Sequence, residues 1–272
     1  MIGYTQNQYL NVSNITLPIT ATTINRSYAA FEYFTLVNGK PFYVDRHINR
    51  LFNTLKILRI NIKYSYTDIF NIINNLLVKN LNPNFSYKLF VIPEPSKNYQ
   101  QFESELYIIP VNTPIIANKN SEHGNKLIVK NYQRFLPEAK TTNYIAHIYL
   151  EYEVITQNAI DVLYINRNRV RETSRSNIFM VKNDVIYTPK SKVLQGITKS
   201  IVIDLIKKHK IDFIEHDFTF DDLLKSDEVF ISSTTREITA ISQIGTSMIS
   251  DGKIGMITKK LQHQFKNLKK GY

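Results

Sequence analysis

The chain has 272 residues, of which 43% are hydrophobic and 12% aromatic, as in a packed globular protein with one large or two modest domains. Cysteine is absent, which excludes disulfides, thiolate metal sites and cysteine nucleophiles, and the six histidines lack the spacing of metal ligands. The formal net charge of +11 admits an anionic partner such as nucleic acid. No apolar run approaches the roughly 20 residues that span a bilayer and no signal-peptide pattern is present, so we expect a cytoplasmic protein without membrane association.

A β-hairpin is predicted early in the chain. Two alternating stretches, 30–36 and 41–44, flank the pair Asn38-Gly39, which is the strongest short hairpin signal. Two further strands are predicted at 87–92 and 105–111.

Two helices are predicted between these strands. Asp45 is a plausible N-cap for the first, whose apolar residues recur at helical spacing up to about Arg59. Thr67 is predicted to cap the second, whose apolar stripe ends near Asn80.

A domain boundary is predicted where the apolar periodicity disappears, at about 112–125. We therefore expect a small α/β domain over residues 1–114, a linker over 115–122 and a larger strand-rich domain over 123–272. In the larger domain, strands are predicted at 126–131, 161–166, 177–181, 185–188 and 228–232, and helices at 144–157 and 197–208.

The lysines at 259, 260, 269 and 270 can be read as a nucleic-acid patch. However, Ile257, Leu261, Phe265 and Leu268 recur at helical spacing, so these lysines are better explained as the exposed face of an amphipathic helix. We expect no nucleic-acid partner.

Three segments carry residues suited to a phosphate. Arg50, on the first predicted helix, offers a forked cationic donor. The segment Gly196-Ile197-Thr198 directly precedes a helix, where backbone N–H groups and the helix dipole favour an anion. Ser233 and Thr234 follow an apolar strand and add hydroxyls and turn amides. The alternatives are a solvated arginine, an ordinary helix cap and a polar turn.

Lys140 lies among small and hydroxyl-bearing residues, shortly before Tyr144 and a predicted helix. A lysine that forms a Schiff base must be shielded from water, so that its amine becomes nucleophilic. The alternative is a surface lysine.

A further segment, from Val170 to Phe179, contains two arginines and Glu172, and we interpret it as a polar insert that leads into a strand. Together with His47-Ile-Asn-Arg50-Leu51, Lys140, the segment around Gly196 and the strand that ends at Ser232-Ser233, it completes a pattern of consistent order and spacing. In this pattern the chain resembles the class IV, or fold type IV, pyridoxal 5′-phosphate (PLP) aminotransferases over most of its length.

The resemblance implies an α+β fold of two domains, a small α/β domain and a larger domain with a pseudo-barrel sheet, usually assembled as a homodimer. It implies that Lys140 binds the cofactor covalently and moves a proton during catalysis. It also implies that Glu172 pairs with the pyridine nitrogen and that Tyr144 lies near the phenolic oxygen of the ring. The residues that it implies for the phosphate are Arg50, Ile197, Thr198, Ser233 and Thr234.

Reaction specificity within the family depends on the substrate contacts. In one pattern of D-amino acid transaminase, two arginines bind the substrate carboxylate, and their positions match Arg26 and Arg175. The alternatives are a loop arginine for Arg26 and an ion pair with Glu172 or Glu138 for Arg175. Glycines expected around the first arginine are replaced here, by Ser27 among others.

We therefore expect a transaminase that moves an amino group from a D-amino acid to a 2-oxo acid such as 2-oxoglutarate. A branched-chain L-amino acid aminotransferase is the second hypothesis, and an aminodeoxychorismate lyase is the third.

Overall fold

The computed structural model describes residues 1–94, 100, 102–113 and 123–272. Contacts divide the chain into two compact units. The first comprises Met1–Ile115, Ala139–Asn143 and Tyr272, and the second comprises Ile116–Glu138 and Tyr144–Gly271. The predicted linker, 115–122, lies outside the described residues, so the predicted domain bounds stay a prediction.

Within the described residues, the first unit is built on a six-stranded antiparallel sheet. Its strands are β1 (Ile2–Thr5), β2 (Gln8–Asn11), β3 (Ala30–Val37), β4 (Lys40–Pro41), β5 (Phe85–Pro93) and β6 (Ser104–Asn112). They lie in the order β2-β1-β6-β5-β3-β4. The predicted hairpin is confirmed between β3 and β4, where Asn38 and Gly39 both have positive φ, as its tight turn requires.

The helices of this unit are α1 (Thr22–Arg26), α2 (Val44–Leu58) and α3 (Tyr66–Lys79). Both predicted helices are confirmed, but both predicted caps are wrong. Helix α2 begins at Val44, which also shortens the predicted strand 41–44, and Asp45 lies in its first turn, where a negative charge suits the helix dipole.

Ser65 caps helix α3 in place of the predicted Thr67. The Ser65 hydroxyl accepts a hydrogen bond from Asp68 N, and the Asp68 carboxylate accepts one from Ser65 N. This reciprocal capping box needs a polar acceptor three residues after the cap. Thr67 has Phe70 at that position, so it cannot form one.

The second unit contains a nine-stranded mixed sheet in the described part of the chain. Its strands are β7 (Asn125–Asn131), β8 (Asp161–Asn166), β9 (Arg169–Thr173), β10 (Asn177–Lys182), β11 (Val185–Thr188), β12 (Phe213–Glu215), β13 (Glu228–Ser233), β14 (Glu237–Ile244) and β15 (Ser247–Met248). They follow the order β12-β11-β10-β13-β14-β7-β8-β9, and β15 pairs with β14.

This sheet curls, as the connection between β9 and β10 shows. The two strands are joined by only residues 174–176, yet β13, β14, β7 and β8 lie between them in the sheet order. The sheet must therefore bend so that β9 approaches β10. This bend confirms the expected pseudo-barrel and the α+β class.

The segment from Val170 to Phe179 was predicted as a polar insert, and this was wrong for its first part. Residues Arg169–Thr173 form β9, and Arg171 and Glu172 are buried in it. Their charges are paired, with Asp217 and Arg134 respectively, so charged residues occupy positions where a strand normally shows apolar ones.

The helices of the second unit are α4 (Ile145–Thr156), α5 (Ile197–Lys208), α6 (Phe220–Leu224) and α7 (Met256–Lys270). Helix α7 buries Leu261 and Phe265 and exposes Lys259 and Lys260, which confirms the predicted amphipathic helix. None of the helices in the described residues has the length and apolar character that a membrane span requires.

Candidate active site

Lys140 lies in a short segment that is fixed against strand β3. Its carbonyl oxygen accepts a hydrogen bond from Phe31 N at 3.0 Å, and its N–H donates to Thr54 Oγ1 at 3.1 Å. Two residues later, Thr142 N donates to Ala29 O at 3.0 Å. The backbone is thus held on both sides of the lysine, which limits the positions that its side chain can reach.

The amine of Lys140 contacts an aromatic ring. Its Nζ lies 4.3 Å from the centre of the Phe31 ring, which stacks on Phe90 at 6.1 Å. In the described residues no ion pair involves Lys140. The amine therefore lies over an aromatic ring and, within the described residues, is not paired with a carboxylate, which leaves it available for covalent chemistry.

A buried charge cluster orients Arg50. Arg50 Nε and Nη2 donate to the two carboxylate oxygens of Glu32, each at 2.7 Å, and His47 Nδ1 lies 2.7 Å from Glu32 Oε2. Glu32 is fully buried, at an inward position of β3. The bidentate pair fixes the plane of the guanidinium, which a phosphate ligand requires.

The charges of this cluster shift two pKa values. Burial raises the pKa of Glu32, but the Arg50 charge and the hydrogen bonds from Arg50 and His47 outweigh burial and hold this pKa at about 2. Burial lowers the pKa of His47, which favours the neutral imidazole. Sequence analysis missed Glu32 as a site residue, although a carboxylate at an inward strand position is itself a signal of a buried partner.

Glu172 is held by two donors within the second unit. Arg134 Nε donates to Glu172 Oε1 at 2.7 Å, and Leu194 N donates to Oε2 at 3.0 Å. Arg134 Nη2 also donates to Pro137 O. Burial lowers the pKa of Arg134, but the Glu172 carboxylate outweighs burial and raises this pKa.

The partner of Glu172 was missed by sequence analysis, since no local pattern relates Arg134 to a residue 38 positions later. The alternative ion pairs of Arg175 do not occur: Glu172 pairs with Arg134, and within the described residues Arg175 forms no ion pair with Glu172 or Glu138.

The loop before α5 packs against the start of β10. Asn177 Nδ2 donates to Leu194 O at 2.7 Å, and a Cβ atom at Gly196 would lie 2.1 Å from Asn177 Oδ1. Only glycine permits this approach. Because Asn177 pairs with Ser232 of β13, the packing brings the start of α5 close to the strand that ends at Ser233.

These neighbouring groups fit a phosphate. Gly196 caps α5 without a side-chain hydrogen bond in the described residues, so the first N–H groups of the helix are open to an anion. The hydroxyl of Ser232 is buried and has no hydrogen-bond partner in the described part of the chain. Such a hydroxyl costs roughly 1–3 kcal/mol when unpaired, which indicates that a polar ligand belongs here.

Arg175 lies at the apex of the turn between β9 and β10, and its side chain is exposed. The turn is rigid, because Thr173 N donates to Ser176 O at 2.8 Å and Ser174 Oγ donates to the buried Asp161 at 2.5 Å. The arginine is thus presented to solvent from a fixed backbone.

Arg26 ends helix α1 and is also exposed, with Nη1 bonded to Asn25 O at 2.9 Å. Ser27 follows it with a φ of 50°, the left-handed conformation that a glycine adopts most easily. Tyr144 directly precedes helix α4, and its ring makes an edge contact with the ring of His147.

Three comparisons bear on this arrangement. A family model described as amino-transferase class IV matches residues 29–244. A D-alanine aminotransferase of Listeria monocytogenes is 30% identical over 250 residues, which cover 86% of this chain and 84% of that protein. A D-alanine aminotransferase of Staphylococcus aureus is 26% identical over 246 residues, which cover 86% of each chain.

Solved structures show the same fold. A branched-chain aminotransferase from the archaeon Thermoproteus uzoniensis, determined with norvaline, superposes with a TM-score of 0.88 at 21% identity and covers 100% of this chain and 95% of that one. A putative 4-amino-4-deoxychorismate lyase from Legionella pneumophila superposes with a TM-score of 0.82 at 24% identity and covers 94% and 96%. These likenesses confirm the predicted fold.

The Glu32 cluster predicts a pH-dependent contribution to stability. The pKa of Glu32 falls from 4.5 to about 2 on folding, which corresponds to about 3 kcal/mol of stabilisation. Because the folded pKa is the lower one, this contribution is complete above about pH 4.5 and is lost as the pH falls towards about 2. We expect Glu32→Gln to destabilise the protein by about that amount near neutral pH, and less in acid, in urea unfolding followed by circular dichroism.

Lys63→Gln is the matched control, since it breaks the half-exposed Lys63–Glu105 pair. It should cost under about 1 kcal/mol. Equal stability of Glu32→Gln and the parent near neutral pH would contradict the assigned cluster.

Proposed function

Because the chain belongs to the class IV aminotransferase family, we propose that it transfers the amino group of a D-amino acid to a 2-oxo acid such as 2-oxoglutarate. It is a PLP-dependent aminotransferase of fold type IV. The preference for D-amino acids is supported by relatives named D-alanine aminotransferase, up to about a third identical to this chain. The observation that carries the chemistry is Lys140, with its fixed backbone and an amine placed against Phe31. The cytoplasmic location stays a prediction.

Lys140 is the proposed catalytic residue. In the resting enzyme its Nζ would hold the cofactor covalently. Once the substrate amine replaces Nζ on the cofactor, the freed amine would accept the proton from the substrate Cα and deliver it to the cofactor C4′. The hydrogen bonds at Lys140 N and O restrict the reach of this amine, which favours one direction of proton transfer.

Glu172 is the proposed partner of the pyridine nitrogen. When bound, the protonated ring of the cofactor supplies an electron sink for the charge that develops when the substrate loses its Cα proton. Arg134 Nε holds one oxygen of Glu172 and Leu194 N holds the other, so the carboxylate has a fixed orientation in which to pair with the protonated ring nitrogen.

The proposed phosphate ligands combine charge, amides and hydroxyls. Arg50 offers a guanidinium that Glu32 and His47 orient. The start of α5 offers amides, and the end of β13 offers hydroxyls beside the unpartnered Ser232. The full proposed set is Arg50, Ile197, Thr198, Ser233 and Thr234, with Tyr144 near the phenolic oxygen of the ring.

Arg26 and Arg175 are the proposed ligands of the substrate carboxylate. Both side chains are exposed, and neither forms an ion pair within the described residues. A guanidinium fork can bind a carboxylate through two charge-assisted hydrogen bonds, each stronger than a neutral one.

One observation favours a second candidate, branched-chain L-amino acid transamination. Phe31 and Phe90 form an apolar wall beside the Lys140 amine, and an aliphatic side chain would pack well against such a wall.

A homodimer is proposed from the outer face of helix α4. Its inner side packs Val154 on Ile128 and Val162, yet the opposite face is apolar too. The apolar residues of that face are each 65–81% exposed: Ile145, Ile148, Tyr149, Tyr152 and Ile155. An apolar patch of this kind marks an interface, and a second copy of the chain is the partner that most oligomers use.

We expect Lys140→Ala to abolish turnover and leave folding intact, because the loss is covalent catalysis and Lys140 is only half-buried. Borohydride reduction of the native protein with PLP should place a pyridoxyl group on Lys140, as read by peptide mass spectrometry. Lys56→Ala, on the exposed face of α2, should keep both activity and label. Full activity of Lys140→Ala, or a label elsewhere, would contradict the assignment.

Substrate choice is tested with a coupled transaminase assay. D-alanine or D-glutamate should be turned over with 2-oxo acid acceptors, whereas L-leucine should not. Turnover of L-leucine alone would favour the branched-chain alternative, and pyruvate release from aminodeoxychorismate would favour the lyase.

The proposed carboxylate ligand Arg175 is tested in the same assay. Arg175→Gln should raise KM for the D-amino acid by about tenfold, since a charge-assisted hydrogen bond is lost. Arg167→Gln, an exposed arginine of the β8–β9 turn, is the control and should leave KM unchanged.

The dimer is tested by sedimentation. Tyr149→Glu combined with Tyr152→Glu should shift the protein to monomer, because two charges cannot be buried against an apolar partner surface. Val78→Glu changes an equally exposed apolar residue on α3 and should leave the mass unchanged. A monomeric parent protein would refute the proposed dimer.

A further inference from the structure

Lys199 is a buried lysine on the first turn of α5, with 1% of its surface exposed. A buried ammonium is costly unless each of its three N–H donors finds an acceptor. Here Glu215 Oε1 lies at 2.8 Å, Pro189 O at 3.1 Å and Gln195 Oε1 at 3.3 Å. All three donors are therefore satisfied, and one acceptor carries the compensating charge.

Two of these three acceptors belong to the loop between β11 and α5. Pro189 is its first residue and Gln195 is the last before the cap Gly196. The buried amine of Lys199 thus forms hydrogen bonds with both ends of this loop. The same loop donates Leu194 N to Glu172 and leads into the amides at the start of α5.

The position of this lysine is poor for helix stability alone. A positive charge in the first turn opposes the helix dipole, and an apolar side chain of similar size would fill the buried space without an ion to desolvate. The arrangement is better suited to holding the loop in one shape before an anion binds.

Resting on the proposed PLP function, we propose that Lys199 is a positioning residue for the cofactor phosphate. Because it forms hydrogen bonds with both Pro189 and Gln195, it keeps the amides at the start of α5 in the conformation that binds the phosphate. A preorganised loop does not need to be ordered on binding. This strengthens the binding of the phosphate more than that of the ring, because Glu172 is also held by Arg134, which lies outside the loop.

The test compares PLP with pyridoxal, which has the same ring and aldehyde but no phosphate. Apoprotein of the parent and of Lys199→Met is titrated with each compound, followed by absorbance. We expect the variant to bind PLP about tenfold more weakly, while its affinity for pyridoxal changes less than about twofold. A merely structural role would weaken both compounds alike.

Lys207→Met is the matched control, since it removes an exposed lysine from the same helix and should bind both compounds as the parent does. Gln195→Ala removes one of the hydrogen bonds of Lys199 by changing an exposed side chain. This variant replaces Lys199→Met in the test if Lys199→Met does not fold. It should weaken PLP binding about threefold without affecting pyridoxal.

Equal losses for PLP and pyridoxal in the variant that folds, or no loss at all, would overturn the role of Lys199 and leave the proposed function standing. A parent protein that binds neither compound would overturn both proposals.

Discussion

The carboxylate of Glu172 joins three parts of the second unit. It belongs to β9, it accepts from Arg134 on one oxygen and it accepts from Leu194 N on the other. Arg134 precedes Lys140 by six residues, and Leu194 precedes Gly196 by two. A single buried acid therefore fixes the segments that lead to Lys140 and to the start of helix α5.

Three of the buried charges in the described residues are each compensated by an opposite charge within hydrogen-bond distance. Glu32 is paired with Arg50, Glu172 with Arg134, and Lys199 with Glu215. Such pairs add little net stability over apolar packing, because desolvation offsets most of the attraction. These pairs instead fix the orientation of the guanidinium or carboxylate group, and catalysis depends on groups held in a precise geometry.

Periodicity predicted much of this fold. Helices such as α2 and α7 bury a regular apolar stripe, so spacing along the chain was enough to find them. Strand β9 was not predicted because two of its buried residues, Arg171 and Glu172, are charged. These charges are compensated by Asp217 and Arg134, which are distant in sequence. Caps were misplaced because the reciprocal bond of Ser65 and Asp68 depends on geometry that several nearby hydroxyl residues could mimic.

The residues of the candidate site also differ in whether the sequence alone could predict them. Lys140, Glu172 and Arg50 were predicted from their order and spacing in the chain. Glu32, Arg134 and Lys199 were not, because their partners are brought close only by the fold. The outer face of α4 is another example, since the sequence predicted a helix at 144–157 but not which of its apolar residues stay exposed.

The three-residue turn between β9 and β10 limits how this protein can change. Side chains alternate between the two faces of a strand, so one inserted residue in the turn would exchange the inward and outward sides of β10. Phe179, now fully buried against Phe230, would then face the opposite way. Residues around Arg175 can therefore be substituted, by natural variation or by engineering, without this effect. Lengthening the turn would instead reverse which side chains of β10 face inward.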